Sequence, residues 1–397
     1  MHKNNDHRFA HQLIEKYHDS DTSLCIVVKD SKEAKLINNE LSLYLNSENI
    51  NYFPENEILP YDHFSAPDNI LSDRFSILNS LDKEKKIIIT TIKSLFELYP
   101  TKDFFQSKEI FNLGDSLSLN RLEKILISLN YEKVNKIEGI NQYSLRGGII
   151  DIYTPIYRNP LRIEIFDDSV ESVRFFDLET QSSIEKSNNF RLSKSSLYTF
   201  DDHNLKIFRD NWREYFQEYD ERHCEIFQNL NTSRKAEGSD IYLPLFFSKT
   251  SNFFEIFDSH SFIVLDNFDD EIDSYNNYIQ QRFDDENIDS QRPLLLPNDL
   301  FCSLEIIKNK LPQKSIWDFD IYEDFNYKDI DELVNNMHQS ILEKYKIVLT
   351  TSLQSEYETL FERLKPDIKE IKNISEASFG INLMIFDIVR PIHIKEK

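Results

Sequence analysis

The chain has 397 residues, enough for two to four domains, with 29% charged and 40% hydrophobic residues and a formal net charge of −23. That balance excludes a disordered polymer, no apolar run approaches the ~18 residues of a membrane span, and so acidic a surface argues against broad non-specific binding to DNA phosphates. Three scattered cysteines (Cys25, Cys224, Cys302) form neither a CxxC pair nor an even framework, and the start, MHKNNDHRFA, lacks the apolar core of a secretory signal. Together these point to a reducing, cytoplasmic setting and no zinc site.

Residues 1 to about 22 read as a polar, helix-compatible lead-in. Leu24–Val28 (LCIVV) is a short β-branched apolar run suited to a buried parallel strand. Ser31 is placed to cap a helix from Lys32 to Asn46, with Leu36, Ile37, Leu41, Leu43 and Leu45 on its apolar side. A second strand follows at Asn51–Phe53, then a proline-marked loop and a helix from Asn69 to Leu81. Lys86–Thr91 (KIIITT) is another buried strand, followed by a helix through Leu98. Strand and helix alternate, the pattern of an α/β layer.

The pattern changes near Asp103. A helix is expected from Ser118 to Asn130, with Leu119, Leu122, Ile125, Leu126 and Leu129 at helical spacing, a stripe better read as core than as a partner groove. Then come three short alternating runs, Ile149–Tyr153, Leu161–Phe166 and Glu171–Phe176, punctuated by Asn159–Pro160 and Asp167–Asp168–Ser169. They predict a small antiparallel sheet, entered through Gly147–Gly148, where a bulge is conceivable. In the middle run Leu161, Ile163 and Ile165 share one face, and Arg162, Glu164 and Phe166 share the other. An arginine and an aromatic facing outward suit a protein-docking surface. A plainer alternative puts Phe166 under a neighbouring loop and pairs Arg162 with Glu164. Residues 103–195 carry 12 Lys+Arg against 14 Asp+Glu, so the other 304 residues hold −21 of the charge.

The α/β layer resumes at about residue 196. Asp201 or Asp202 can cap a helix through Trp212 and Phe216, Ile241–Phe247 and Ser261–Asp266 read as strands, and an acidic helix spans Asp270 to Asp284. The sequence FIVLD, ending at Asp266, has the shape of a Walker B strand, but Asn267 follows where an ATPase needs a glutamate, so Asp266 reads as a relic. None of the six glycines belongs to a GxxxxGK(S/T) phosphate loop. After Arg292–Pro297 (RPLLLP) a helix is expected at Asn298–Lys310. A third unit then reads strand–helix–strand–helix at Ile316–Phe319, Asp331–Tyr345, Ile347–Thr351 and Ser355–Lys365, before the apolar run Leu383–Val389. The ten histidines make no HxxH or HExxH and no serine sits in GxSxG. Asp167–Asp168 reads as a turn, and Asp318, Asp320, Glu323 and Asp324 lack the spacing of a calcium loop. No catalytic residue, metal site or cofactor is expected.

The pieces LRGGIIDIYTP, LRIEIFDDSVESVRFFDLETQSS and YFPENEILPYDHFSAPDNILSDRFSILNSL resemble the amino-terminal module of the bacterial transcription-repair coupling factors (Mfd), itself similar to the helicase UvrB. The resemblance runs from about Leu24 to Pro297 and is thinner beyond. It implies a degenerate helicase-like parallel α/β layer (residues 1–102 and 196–312), an inserted small α+β domain (103–195) and a small α/β third domain (313–397). It further implies that the inserted domain binds UvrA through Arg146, Arg162 and Phe166, linking stalled transcription to excision repair without ATPase activity of its own. RNA polymerase and DNA would be met by parts of the family not represented in this sequence. The alternative is a divergent UvrB-type, ATP-dependent DNA-handling enzyme, which the missing phosphate loop disfavours.

Overall fold

The structure is a computed structural model, and it describes residues 8–81, 85–106, 109–289, 291–312, 346–365, 368–372, 374–378 and 380–385. It is mixed α/β, with one parallel sheet and several smaller sheets.

The chain opens with α1 (Arg8–Asp19), β1 (Ser23–Val28), α2 (Ser31–Leu41), β2 (Ile50–Phe53), α3 (Asp68–Leu78), β3 (Ile87–Thr91), β4 (Leu98–Tyr99) and α4 (Lys102–Gln106). Strands β1, β2 and β3 pair in parallel, and the fully buried runs Leu24–Val28 and Ile87–Thr91 of the two inner strands suit a sheet covered on both faces. The cap of α2 is Asp30 rather than Ser31, because the Asp30 carboxylate accepts from the Glu33 amide at 2.9 Å. The helix ends at Leu41, and Leu43 and Leu45 reach the interior from the turn beyond it. The segment after β3 is one 3₁₀ stretch, Ile92–Phe96, and not the longer helix expected.

Next come β5 (Glu109–Asn112), α5 (Leu119–Ser128), β6 (Glu132–Lys133), β7 (Gln142–Arg146), β8 (Ile149–Tyr153), β9 (Leu161–Phe166), β10 (Ser169–Phe176), β11 (Ser183–Ser187) and β12 (Asn189–Leu192). The sheet has six strands in the order β11-β10-β9-β8-β7-β6, larger than the three runs suggested, with β6 parallel to β7 and the rest antiparallel. Its aliphatic face (Ile150, Ile152, Leu161, Ile163, Ile165, Val170, Val173) packs on Leu122 and Leu126 of α5, which makes the α5 stripe core. β5 and β12 pair at the two ends of this region, so its chain enters and leaves side by side.

The chain continues through α6 (Asp202–Tyr215), α7 (Glu225–Asn231), β13 (Ser251–Asn252), α8 (Phe253–Ile256), β14 (His260–Val264), α9 (Asp269–Glu286), α10 (Pro297–Leu300) and α11 (Leu304–Lys310). β14 pairs in parallel with β1, completing a sheet of order β14-β1-β3-β2, and β13 pairs with β4. The expected strand Ile241–Phe247 is a 3₁₀ helix, Ser239–Phe246. Pro244 cannot donate to a ladder, and Phe246 instead stacks on Tyr198 and Phe208 with ring centroids 4.3 and 4.5 Å apart. An all-apolar run that is buried all round does not reveal its period. The helix expected at Asn298–Lys310 is broken into α10 and α11 at Phe301–Cys302, whose backbone is extended at Phe301 and accepted by Phe96 at Cys302.

Last are β15 (Lys346–Thr351), α12 (Gln354–Leu364), β16 (Ile368–Glu370) and β17 (Gly380–Ile385), with β17 central and parallel to both neighbours. The expected elements at Ile316–Phe319 and Asp331–Tyr345 and the acidic cluster Asp318–Asp324 lie outside the described residues.

Candidate docking face on the antiparallel sheet

The site is built from two hairpins. β7 and β8 are joined by Gly147–Gly148, with Arg146 paired to Ile149, so the glycines form a two-residue turn with no bulge. Gly147 has φ 62°, and a Cβ on Gly148 would lie 2.9 Å from the Ile165 carbonyl. The Ile165 amide donates to the Gly148 carbonyl at 2.9 Å, which holds the glycine turn against β9. β9 and β10 are joined by Asp167 and Asp168, both at positive φ (49° and 55°), the backbone of a tight hairpin turn.

Register then decides which side chains share a face. Arg146 pairs with Ile149 and Ile149 with Glu164, while Asp151 pairs with Arg162 and Arg162 with Arg174. Arg146, Asp151, Arg162, Glu164, Phe166 and Arg174 therefore all lie on the face opposite the aliphatic core. The turn without a bulge is what settles Arg146, whose face alternation alone left open.

The three residues singled out from the sequence sit on this face in different states. Phe166 is 70% exposed, so no neighbouring loop covers it. Arg146 is exposed, donates from Nη2 to the Asn135 carbonyl at 3.3 Å, and has no ion pair among the described residues. Arg162 is committed within the sheet. Its Nε and Nη2 grip both oxygens of Asp151 at 2.7 and 2.9 Å, and its Nη2 reaches Gln181 Oε1 at 3.1 Å. Its guanidinium lies 4.3 Å from the centre of the Phe176 ring. The hydrogen bonds to Asp151 push the Arg162 pKa further up, so it stays charged. The alternative pairing of Arg162 with Glu164 is also replaced, since Glu164 accepts from Arg174 and from Ser172 Oγ.

Asp151, Phe176 and Gln181 escaped the sequence reading. An acid in the apolar run IIDIY was a usable signal, because a buried carboxylate on a strand requires a cross-strand cation. With Arg162 neutralised by Asp151 and Glu164 by Arg174, the face offers one exposed aromatic, Phe166, and two exposed cations outside any ion pair among the described residues, Arg146 and, opposite Arg174, Lys186. Such a surface can seat an apolar pocket beside a carboxylate on a protein partner. Among the described residues no group of three His, Cys, Asp or Glu side chains is arranged to hold a metal, and no helix is long and apolar enough to cross a membrane.

Residues 110–198, which contain this face, match the model of the UvrB interaction domain. Nearly the whole chain is similar to transcription-repair-coupling factors. It is 25% identical over 381 residues to that of Haemophilus influenzae, covering 94% of this chain and 32% of the relative. To that of Rickettsia bellii it is 28% identical over 394 residues, covering 91% and 34%. Along nearly its whole length the chain is therefore similar to part of a transcription-repair-coupling factor. For the Escherichia coli factor the identity is 25% over 292 residues, 72% of this chain and 25% of the relative. The chain thus spans about a quarter to a third of the length of these curated relatives.

Proposed function

We propose that this chain serves transcription-coupled repair as a docking module for UvrA, with residues 103–195 as a distinct unit carried by the α/β body (1–102 and 196–312) and a third unit at 313–397. The observation that carries the reading is Phe166, a large apolar side chain left 70% exposed on a tightly fixed hairpin inside the segment that matches the UvrB interaction domain. Phe166 would be the anchor, Arg146 the fork that meets a partner carboxylate, and Arg162 the residue that holds the face in shape through Asp151.

The same reading gives the body no nucleotide turnover. Support comes from the junction of β1 and α2, where only Lys29 and Asp30 separate strand from helix. The start of α2 is filled by the chain's own carboxylates, Asp30 on the Glu33 amide and Glu33 on the Lys29 amide at 2.8 Å. A phosphate would have to displace both.

Titration of UvrA with the chain tests the docking assignment. Phe166→Ala should weaken binding at least about tenfold and leave the melting temperature nearly unchanged. Ile163→Ala, on the aliphatic face, should do the reverse and destabilise the fold by about 2–4 kcal/mol. If Phe166→Ala unfolds the sheet while the folded fraction binds UvrA normally, Phe166 is structural and the assignment fails.

A further inference from the structure

The loop Pro60–Ser65 is fastened from several sides. Tyr61 has φ 60°, a left-handed conformation that a bulky residue holds only when its surroundings impose it. Buried Arg292 donates to the Tyr61 carbonyl from both terminal nitrogens, at 3.2 and 3.1 Å, and from Nη2 to the Asp62 carbonyl at 2.5 Å. Tyr61 Oη donates to the Leu295 carbonyl at 2.9 Å, and Arg282 Nε to the Pro60 carbonyl at 3.1 Å. Gly238, at φ 67°, backs the loop so closely that a Cβ there would lie 2.7 Å from the His63 carbonyl oxygen. All this fixes a segment that presents Phe64 at 68% exposure.

A second apolar residue stands close by. His63 Nε2 lies 3.1 Å from Glu286 Oε2 at the end of α9, and two residues further on Ile288 is 83% exposed. The two segments, Asp62–Phe64 and Asp284–Asp289, hold five carboxylates (Asp62, Asp284, Asp285, Glu286, Asp289) and no lysine or arginine. Arg282, one turn back, is paired with Glu286 at 2.8 Å, and Lys235 on the flank is paired with Asp68 at 3.8 Å. The result is a preformed apolar anchor in an acidic setting.

We propose that Phe64 and Ile288 form a second docking surface, separate from the face around Phe166, that takes a basic amphipathic protein segment. Apolar side chains of the partner cover Phe64 and Ile288, and its lysines or arginines meet the carboxylates. Charge selects this occupant. A second copy of the chain would bring the same acidic rim to a two-fold contact, and an anionic membrane would be repelled likewise.

The test uses the full chain and two labelled 15-residue peptides with leucines at helical spacing, one carrying lysine and the other glutamate at the remaining positions. The lysine peptide should bind at least about tenfold tighter than the glutamate peptide. The double variant Phe64→Ser/Ile288→Ser should lose at least about tenfold of that affinity with an unchanged melting temperature. Arg146→Ala/Phe166→Ala should bind the lysine peptide as the parent does, which keeps this surface distinct from the UvrA assignment. Equal binding by the Phe64/Ile288 variant would show attraction by charge alone and overturn the proposal. So would loss of binding in the Arg146/Phe166 variant, or self-association of the parent that Phe64→Ser/Ile288→Ser abolishes.

Discussion

The α/β body and the antiparallel sheet each contain an arginine locked between a carboxylate and an aromatic ring, and they use it to opposite ends. In the body, Arg74 is 2% exposed, bonded to Glu97, Asn56 and Tyr99 Oη, and lies 4.7 Å from the Phe53 ring centre. Arg74 and Tyr99 are buried and the Glu97 side chain is 16% exposed, so the cluster lies mostly inside the body. In the antiparallel sheet, Arg162 sits on Asp151 and Phe176, but two residues on from Glu164 the face opens to Phe166. One side of that sheet is packed against α5 and the other is not. The same chemical unit therefore consolidates a core in one region and stiffens an exposed face in the other.

The contrast predicts unequal costs. Arg74→Ala leaves the Glu97 carboxylate in the interior with no cation, and should destabilise the chain by about 3–5 kcal/mol in urea unfolding. A cost below about 1 kcal/mol would mean that water reaches Glu97 and that the cluster is not interior in the sense argued.

Arg162→Ala should cost less, about 2–3 kcal/mol, because the Arg162 side chain is 19% exposed against 3% for Arg74, so water enters the space it vacates and reaches Asp151. Replacing both partners with apolar residues, Arg162→Met with Asp151→Leu, should recover more than half of that loss. UvrA titration of the same pair sharpens the comparison. If Arg162 only holds the face in shape, affinity returns with stability in the double variant. If its guanidinium touches the partner, affinity stays low.

Much of this was legible from period and punctuation. The aliphatic set Leu161, Ile163 and Ile165 against Arg162 and Phe166 follows from strand alternation, and the structure buries the first set and leaves Phe166 out. β1 and β3 were legible because β-branched runs of five or six residues suit a parallel sheet covered on both faces. Three kinds of feature were not. Ile241–Phe247 is apolar throughout, so nothing in it distinguishes a strand from a 3₁₀ helix until Tyr198 and Phe208 supply the packing. The cap of α2 turned on one residue, Asp30 or Ser31, both good acceptors. The grip of Asp151 on Arg162 depends on the register between β8 and β9, strands joined by the loop of residues 154–160, a pairing no local window reveals.

The junction of the two regions gives the smallest effect. Lys194 follows β12, its ammonium donates to the Phe104 carbonyl and lies 4.3 Å from the Phe104 ring centre, and burial pushes its pKa down to about 8 despite Asp201 and Glu109. A lysine with a lowered folded-state pKa opposes folding while it is charged. That cost is complete below pH 8, and it fades as pH rises towards 10.5, where the unfolded chain also loses its proton. Tyrosines titrating in the same range complicate the parent curve, so the informative quantity is its difference from Lys194→Met. The variant should be more stable at pH 7 by on the order of 1 kcal/mol, about 2 °C in melting temperature once solvent screening is allowed for. The gap should narrow steadily between pH 8 and 10.5. A gap constant with pH would place the Lys194 ammonium in water. The neck between the regions would then be open rather than packed, and the antiparallel sheet would be free to move on the body.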